Sequence, residues 1–381
     1  MNAKRLREEG NMSDVVFIAG KSKSAYFQRS AAEVGGRFVD KKGIRRYSCN
    51  GLWEAFFKLK RRDVSNISSF YLQLKHRKSS SLVYRLLLDF RVRLYFARYV
   101  TFFDAVEENY FALWNGYYLG DKALVLAGER CGKKPIYFEN GLMPRTTTVD
   151  LKGVNFANSL PRDAEFYRGL QIPENYTLSD TLIKRPLACG KVVEQPISLP
   201  SRYIFIPFQV ESDTQVVIYG GWIKSMRTLY LTLFTIIERI DDPDLVFVVK
   251  EHPSSLSNYD DLKLQQSKRL VFANGNDTEE LIAGAEAIVT INSTVGIEAL
   301  MLRKKVITLG MAFYSVRGLV LHANTEAQLI AMLDNLKNWT VDSQLLTKFL
   351  WYLGEHYLVK GSWRNPDAEH FRSLSQKLTK L

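Results

Sequence analysis

Two carboxylates, a lysine–histidine pair and a hydroxyl cluster stand out among the 381 residues as groups able to do chemistry. Asp213 lies in Gln209-Val-Glu-Ser-Asp-Thr-Gln215, a polar loop that leaves an apolar run. It is open to two chemical roles, general base or nucleophile at a sugar's anomeric carbon. A structural role, helix N-cap, is open as well, since Asp213-Thr-Gln precedes Val216. Glu139 closes Lys134-Pro-Ile-Tyr-Phe-Glu139. Lys250 and His252 end Asp244-Leu-Val-Phe-Val-Val-Lys-Glu-His-Pro253 and offer positive charge, although a lone histidine also serves as a core hydrogen bonder. Ser293 and Thr294 stand in Ala287-Ile-Val-Thr-Ile-Asn-Ser-Thr-Val-Gly-Ile-Glu-Ala-Leu300, with Glu298 one turn further on, placed to accept from ribose hydroxyls. Gln209 and Gln215, flanking Asp213, are read as further substrate contacts.

Each of these groups follows a short β-branched or aromatic run, the pattern of buried parallel strands. In 287–300 a strand, a polar turn and a helix start follow one another, which suits an anion, because free N–H groups and the helix dipole face the strand's carboxyl end. The same stretch is also what a capped helix in any α/β protein looks like. Further strands are expected at 14–20, 122–128, 134–139, 203–207, 269–273 and 305–310, with a helix between Gly120 and Cys131 as the rival reading of 122–128. Neither GxGxxG nor a P-loop follows the first glycine, Gly20. Strands alternating with helices predict an α/β protein of two Rossmann-like domains facing a cleft. We place them at 1–190 and 200–325, with helices of 326–381 packing back across both and Trp351, Trp363 and Phe371 available to dock them.

Composition narrows the class further. With 46% hydrophobic and 24% charged residues the chain is globular, long enough for two cores. Cys49, Cys131 and Cys189 lack disulfide or zinc spacing, and the charged start lacks the apolar core of a signal peptide. A cytoplasmic setting is expected, and no run is long enough to span a bilayer. The net charge is +12, and eleven Lys/Arg fall between Lys58 and Arg98 against two aspartates. Residues 82–96 mix bulky apolar side chains with arginines at helical spacing. They suit either an anionic inner-membrane surface or a core helix with a solvated basic face. Asp242-Pro-Asp244 matches a DxD metal motif but precedes its strand, at the wrong end of the sheet, so no metal or other cofactor is expected.

One set of motifs carries more. In order they are Phe138-Glu-Asn-Gly-Leu142, Gly153-Val-Asn-Phe-Ala-Asn-Ser-Leu-Pro-Arg-Asp163, residues 209–215, Val249-Lys-Glu-His-Pro253, residues 289–300 and Gly310-Met-Ala-Phe-Tyr-Ser-Val-Arg-Gly-Leu319. Together they resemble the bacterial capsule-synthesis-type β-Kdo transferases of capsule and O-antigen assembly. The resemblance spans roughly 134–319. It implies a GT-B architecture, CMP-β-Kdo as donor, a glycan or glycolipid acceptor, and transfer with retention. It places Asp213 on the family's essential aspartate, Glu139 on the acidic residue of the opposite wall, and His252, Ser293, Thr294 and Glu298 on the CMP site. Glu251 departs from relatives that carry a second histidine there. Two other readings stay open: a transferase using another nucleotide sugar, and a non-catalytic basic scaffold. Carboxylates at Glu139 and Asp213 speak against a nucleic-acid partner.

Overall fold

The structure is a computed structural model that describes residues 14–44, 51–75, 81–177, 182 and 194–380. Contacts divide the chain into two compact units, Met1–Ser159 with Tyr357–Leu381, and Leu160–His356. This division assigns 160–190 to the second unit, whereas the expectation from sequence put them with the first. It also parts the tail, giving 326–356 to the second unit and the remainder to the first.

In chain order the strands are β1 (Val15–Ala19), β2 (Arg37–Asp40), β3 (Tyr110–Trp114), β4 (Lys134–Asn140), β5 (Thr146–Asp150), β6 (Tyr203–Pro207), β7 (Val246–Lys250), β8 (Leu270–Phe272), β9 (Ala287–Thr290), β10 (Lys305–Thr308), β11 (Leu321–His322) and β12 (Val359–Lys360). The first unit's sheet runs β12-β5-β4-β3-β1-β2. Its β1 to β4 are mutually parallel, while β5 and β12 add an antiparallel edge. The second unit's sheet runs β11-β10-β9-β6-β7-β8 and is parallel throughout. The chain enters that sheet at its centre, builds outward through β7 and β8, then returns to the other side of β6 with β9. Strand order therefore reverses between β6 and β9, and ligands of doubly wound folds bind in the crevice outside the strand ends at such a point. The fold is thus α/β with two Rossmann-like units.

Burial explains why these runs are strands. Residues 203–207 and 287–290 are buried throughout, as strands covered on both faces must be. The reading of 122–128 as a strand needs correction, because Leu119–Arg130 is a helix. Leu119, Ala123, Leu124 and Ala127 are its buried apolar side chains, at helical spacing, and alanine and leucine favour that state. The strand that precedes it is β3, an aromatic-rich run. Among the described residues, no helix is long and apolar enough to cross a membrane.

Candidate functional site

At the second unit's switch point, the buried side chain of Asn292 ties the loops together. Asn292 follows β9 and is fully buried. Its Nδ2 donates to the carbonyls of Gln215 (2.8 Å) and Tyr219 (3.0 Å), and its Oδ1 accepts from Gln209 Nε2 at 3.0 Å. The Asn292 backbone N–H donates back to Gln209 Oε1 at 3.2 Å. Residues 209–219, which leave β6, are thereby fixed against the turn after β9. Both ends of the Gln209 amide are engaged within the protein, and Gln215 is buried with its carbonyl bound to Asn292.

Asp213 sits on the loop so held. It is the N-cap of the short helix Thr214–Val217, its Oδ1 accepting from Gln215 N–H at 2.8 Å. One face of the side chain is open, yet protein crowds the others. That desolvation pushes its carboxyl above the ordinary range, against the Gln215 N–H, which favours the anion. Glu211, on the same loop, accepts from Met226 N–H (2.9 Å) and the Tyr259 hydroxyl (3.0 Å). Its carboxylate anchors the loop's other side.

Across the switch point, Ser293 Oγ accepts from Val295 N–H at 3.2 Å, and the Tyr314 hydroxyl donates to the Ser293 carbonyl at 2.6 Å. A Cβ at Gly296 would collide with the Tyr314 ring, so glycine is what lets the ring approach. Thr294 begins the helix Val295–Met301 in helical geometry without a side-chain cap bond, and Glu298 is half-buried within it. At seven residues this helix brings a weak dipole, so an anion here would depend chiefly on hydroxyls and N–H groups.

Lys250 and His252 end β7, which flanks β6 on the side away from β9. Two strand spacings, about 10 Å, therefore separate them from Ser293, a span for a nucleotide rather than for one phosphate. Lys250 Nζ donates to the carbonyls of Asn274 (2.9 Å) and Asn276, both beyond β8. His252 Nδ1 accepts from Ser254 N–H at 3.0 Å, which puts a neutral ring's proton on Nε2. Glu251 is buried, accepting from Asn274 Nδ2 (3.0 Å) and paired with Lys263 (2.9 Å). This residue, the departure from the family pattern, therefore does structural work. Asp242 is also paired, with Arg202 at 2.8 Å, at the end of the sheet away from these groups.

Glu139 belongs to the first unit, near the end of β4, and accepts from Asn140 N–H at 2.8 Å. The first unit's strand order reverses between β1 and β3, and Lys23 lies just past β1. Its ammonium sits 3.3 Å from the Trp363 ring centroid and 4.1 Å from that of Trp114, at the end of β3. Burial lowers the Lys23 amine to about 8, against the nearby charge of Glu139, with Arg364 adding to the lowering. Sequence reasoning missed this cradle and the role of Asn292. A polar loop after Gly20 and a buried amide after a β-branched strand were the available signals.

Two Rossmann-like units, each with polar groups gathered at its switch point, define a doubly wound α/β protein. The family model for capsule polysaccharide biosynthesis proteins matches residues 184–361. Over that stretch, which holds the motifs at 209–215, 249–253, 289–300 and 310–319, the chain is similar to that family. It is 40% identical over 242 residues to protein FixF of Sinorhizobium fredii, covering 64% of this chain and 58% of that protein. It is 26% identical over 247 residues to the capsule polysaccharide export protein KpsS of Escherichia coli, covering 49% and 63%. The chain thus spans about three fifths of the length of these two relatives. Among solved structures it is similar to the β-Kdo 2,4 transferase KpsC of Thermosulfurimonas dismutans, at 18% identity and a TM-score of 0.46, over 66% of this chain and 80% of that one.

Proposed function

We propose that this chain is a retaining glycosyltransferase that moves β-Kdo from CMP-β-Kdo to a glycan or glycolipid acceptor in bacterial surface polysaccharide synthesis. The observation that carries the reading is Asp213, held at the switch point of a capsule-family Rossmann unit by the Asn292 network. CMP lies across that crevice, with Ser293, Thr294 and Glu298 at one flank and His252 at the other. Asp213 attacks the anomeric carbon as the bond to the CMP phosphate breaks, and CMP departs with the bonding electrons. The acceptor hydroxyl then attacks the same carbon, Glu139 takes its proton, and the Asp213 carboxylate is released. Two inversions give net retention. Lys250 supports this site by fixing the turn after β8. No metal is required, so activity is expected to survive EDTA.

Mass spectrometry of the protein with CMP-Kdo and no acceptor tests the mechanism. A Kdo adduct mapped to Asp213 is the expected result. An Asp213→Ala protein forming β-linked product at near-normal rate would overturn it. Thermal shifts with CMP, UDP and GDP test the donor, because a bound nucleotide raises Tm by mass action. CMP is expected to give the largest rise.

A second reading, docking on an anionic inner-membrane surface, is favoured by exposed apolar side chains. In the helix Leu82–Asp104, residues Leu82, Val83, Leu86, Leu87 and Phe90 are exposed, from 49% for Phe90 to 72% for Leu82. Trp53, Phe56 and Phe57 are exposed too. Trp53 packs against Phe57 with ring centroids 4.2 Å apart, and Phe56 reaches Phe90 at 5.9 Å. Lys58, Lys60, Arg61, Arg62 and Arg85 supply the cationic surround. Bulky apolar groups bordered by basic ones suit headgroups of opposite charge.

A further inference from the structure

Two of the sequence motifs, 153–163 and 310–319, meet at a place the nucleotide reading leaves unused. Within the second unit a cavity of about 640 Å³ is lined by Arg162, Asp163, Arg168, Arg317, Gly318 and Trp339 among others. Its guanidinium groups differ in what they do. Arg168 is held, donating to Glu165 at 2.6 Å and to Asp342 at 3.1 Å. Gly318 presses close to it: a Cβ there would lie 3.5 Å from Arg168 Nη2, and its φ of +94° is one that side chains resist. The Gly318 carbonyl also accepts from Asp342 N–H at 3.0 Å, so the Arg168–Asp342 pair fixes the turn that follows Arg317. Arg162 donates to the Leu160 carbonyl. Arg317 is exposed, and its side chain makes no hydrogen bond or ion pair with any described residue. Trp339 is half-buried, and its indole N–H has no acceptor among the described residues.

We propose that this cavity is a subsite for an acidic sugar residue, with its carboxylate on Arg317 and its ring against Trp339. A guanidinium presents parallel donors that match a carboxylate two-to-two. An indole offers an apolar face to the C–H side of a pyranose and an N–H to one of its hydroxyls. An uncharged sugar leaves Arg317 without a partner, whereas a phosphate dianion, with twice the charge of a carboxylate, is repelled more strongly by Asp163 and Glu165 on the same wall. The acidic sugar comes from the donor or from the growing glycan; this choice of source rests on the transferase reading, while the subsite itself does not.

The test uses the full chain labelled with 5-fluorotryptophan, with the Trp339 fluorine resonance assigned from Trp339→Phe. Methyl glucuronide, methyl glucoside and inorganic phosphate are titrated in turn. We expect the glucuronide to shift the Trp339 resonance saturably, the other two to bind at least tenfold more weakly, and Arg317→Ala to weaken the glucuronide by tenfold or more. Arg317→Lys is expected to restore little of it, since an ammonium lacks the planar fork. The proposal is overturned if the glucuronide leaves the resonance unmoved, if all three ligands shift it alike, or if Arg317→Ala binds glucuronide as the parent does. In the subsite-competent case, CMP-Kdo affinity separates the sources. A loss in Arg317→Ala that free CMP does not share marks the donor's sugar, and an unchanged affinity marks the acceptor's. Failure of the parent protein to bind CMP would defeat the nucleotide reading and leave the glucuronide result standing.

Discussion

Asn292 shows how one side chain can organise a site it need not touch. Its amide satisfies the Gln215 and Tyr219 carbonyls and the Gln209 side chain, all within a buried volume. Asn292→Ala should therefore strand several polar groups at about 1–3 kcal/mol each. We expect a loss of roughly 2–4 kcal/mol in urea denaturation and a marked fall in CMP affinity. Asn292→Asp, though nearly isosteric, should be no better, since a carboxylate would face two carbonyls. A stable Asp variant would refute this account. The raised Asp213 carboxyl has its own signature. As nucleophile it must be ionised, so the acid limb of kcat/KM should lie above the ordinary carboxylate value and vanish from the slow background of Asp213→Asn. Lys23 titrates in reach of routine measurement. With its amine near 8 in the folded protein and 10.5 unfolded, the unfolded chain binds more protons between those values, and stability should rise with pH across that window. Carbon-13 NMR of the lysine Cε resonances, with Lys23→Arg as the assignment control, should find one lysine titrating near 8.

At the scale of elements, the helix Leu82–Asp104 keeps both sequence readings in play: Leu88, Val92, Phe96 and Ala97 are buried, while its first half exposes apolar residues. Leu86→Asp with Leu87→Asp replaces two exposed side chains, so the fold should be kept. Co-sedimentation with phosphatidylglycerol vesicles should drop about tenfold or more, given ~1.5–3 kcal/mol per large apolar group buried. Equal partitioning of the variant and parent would remove the docking surface. The elements also differ in how legible they were. Strands of the second unit were readable because β6, β7 and β9 are β-branched or aromatic runs buried on both faces, a condition that leaves its mark in the sequence itself. Leu119–Arg130 was misread because a short alanine–leucine run has no decisive period, and length and propensity had to arbitrate. Asn292 and Lys23 were illegible as linchpins for a different reason. Their partners lie far along the chain, 77 and 83 residues from Asn292 and near the opposite terminus from Lys23. No local pattern encodes such a meeting.

Across the whole molecule, the chain's return to its first unit suggests where acid should act. β12 pairs with β5, Val359 opposite Thr147, and the following helix Ala368–Thr379 buries Phe371 and Leu374 in the core that holds Phe17 and Phe138. Together Val359, Phe371 and Leu374 contribute roughly 5–9 kcal/mol of burial, a sizeable share of a domain's usual stability. His370 locks this segment. Its Nδ1 lies 2.9 Å from the Lys360 carbonyl and 3.2 Å from that of Gly361, so Nδ1 carries the proton, and Nε2 accepts from the Tyr26 hydroxyl at 2.9 Å. Burial lowers its pKa, opposed by the two carbonyls and by Asp367, while Arg29 adds to the lowering. Below about 6.5 the unfolded chain takes up a proton that the folded one resists, so stability falls as pH drops through that range. A second proton on the ring would also leave Nε2 unable to accept from Tyr26. We expect protection factors at β12 and Ala368–Thr379, taken relative to the intrinsic exchange rate at each pH, to fall between pH 7 and 5 ahead of those at β6 and β9. His370→Gln, uncharged at every pH, should be less stable at pH 7 and should flatten that dependence. Uniform loss of protection in both units, or an unchanged slope in the Gln protein, would assign the acid sensitivity to other groups.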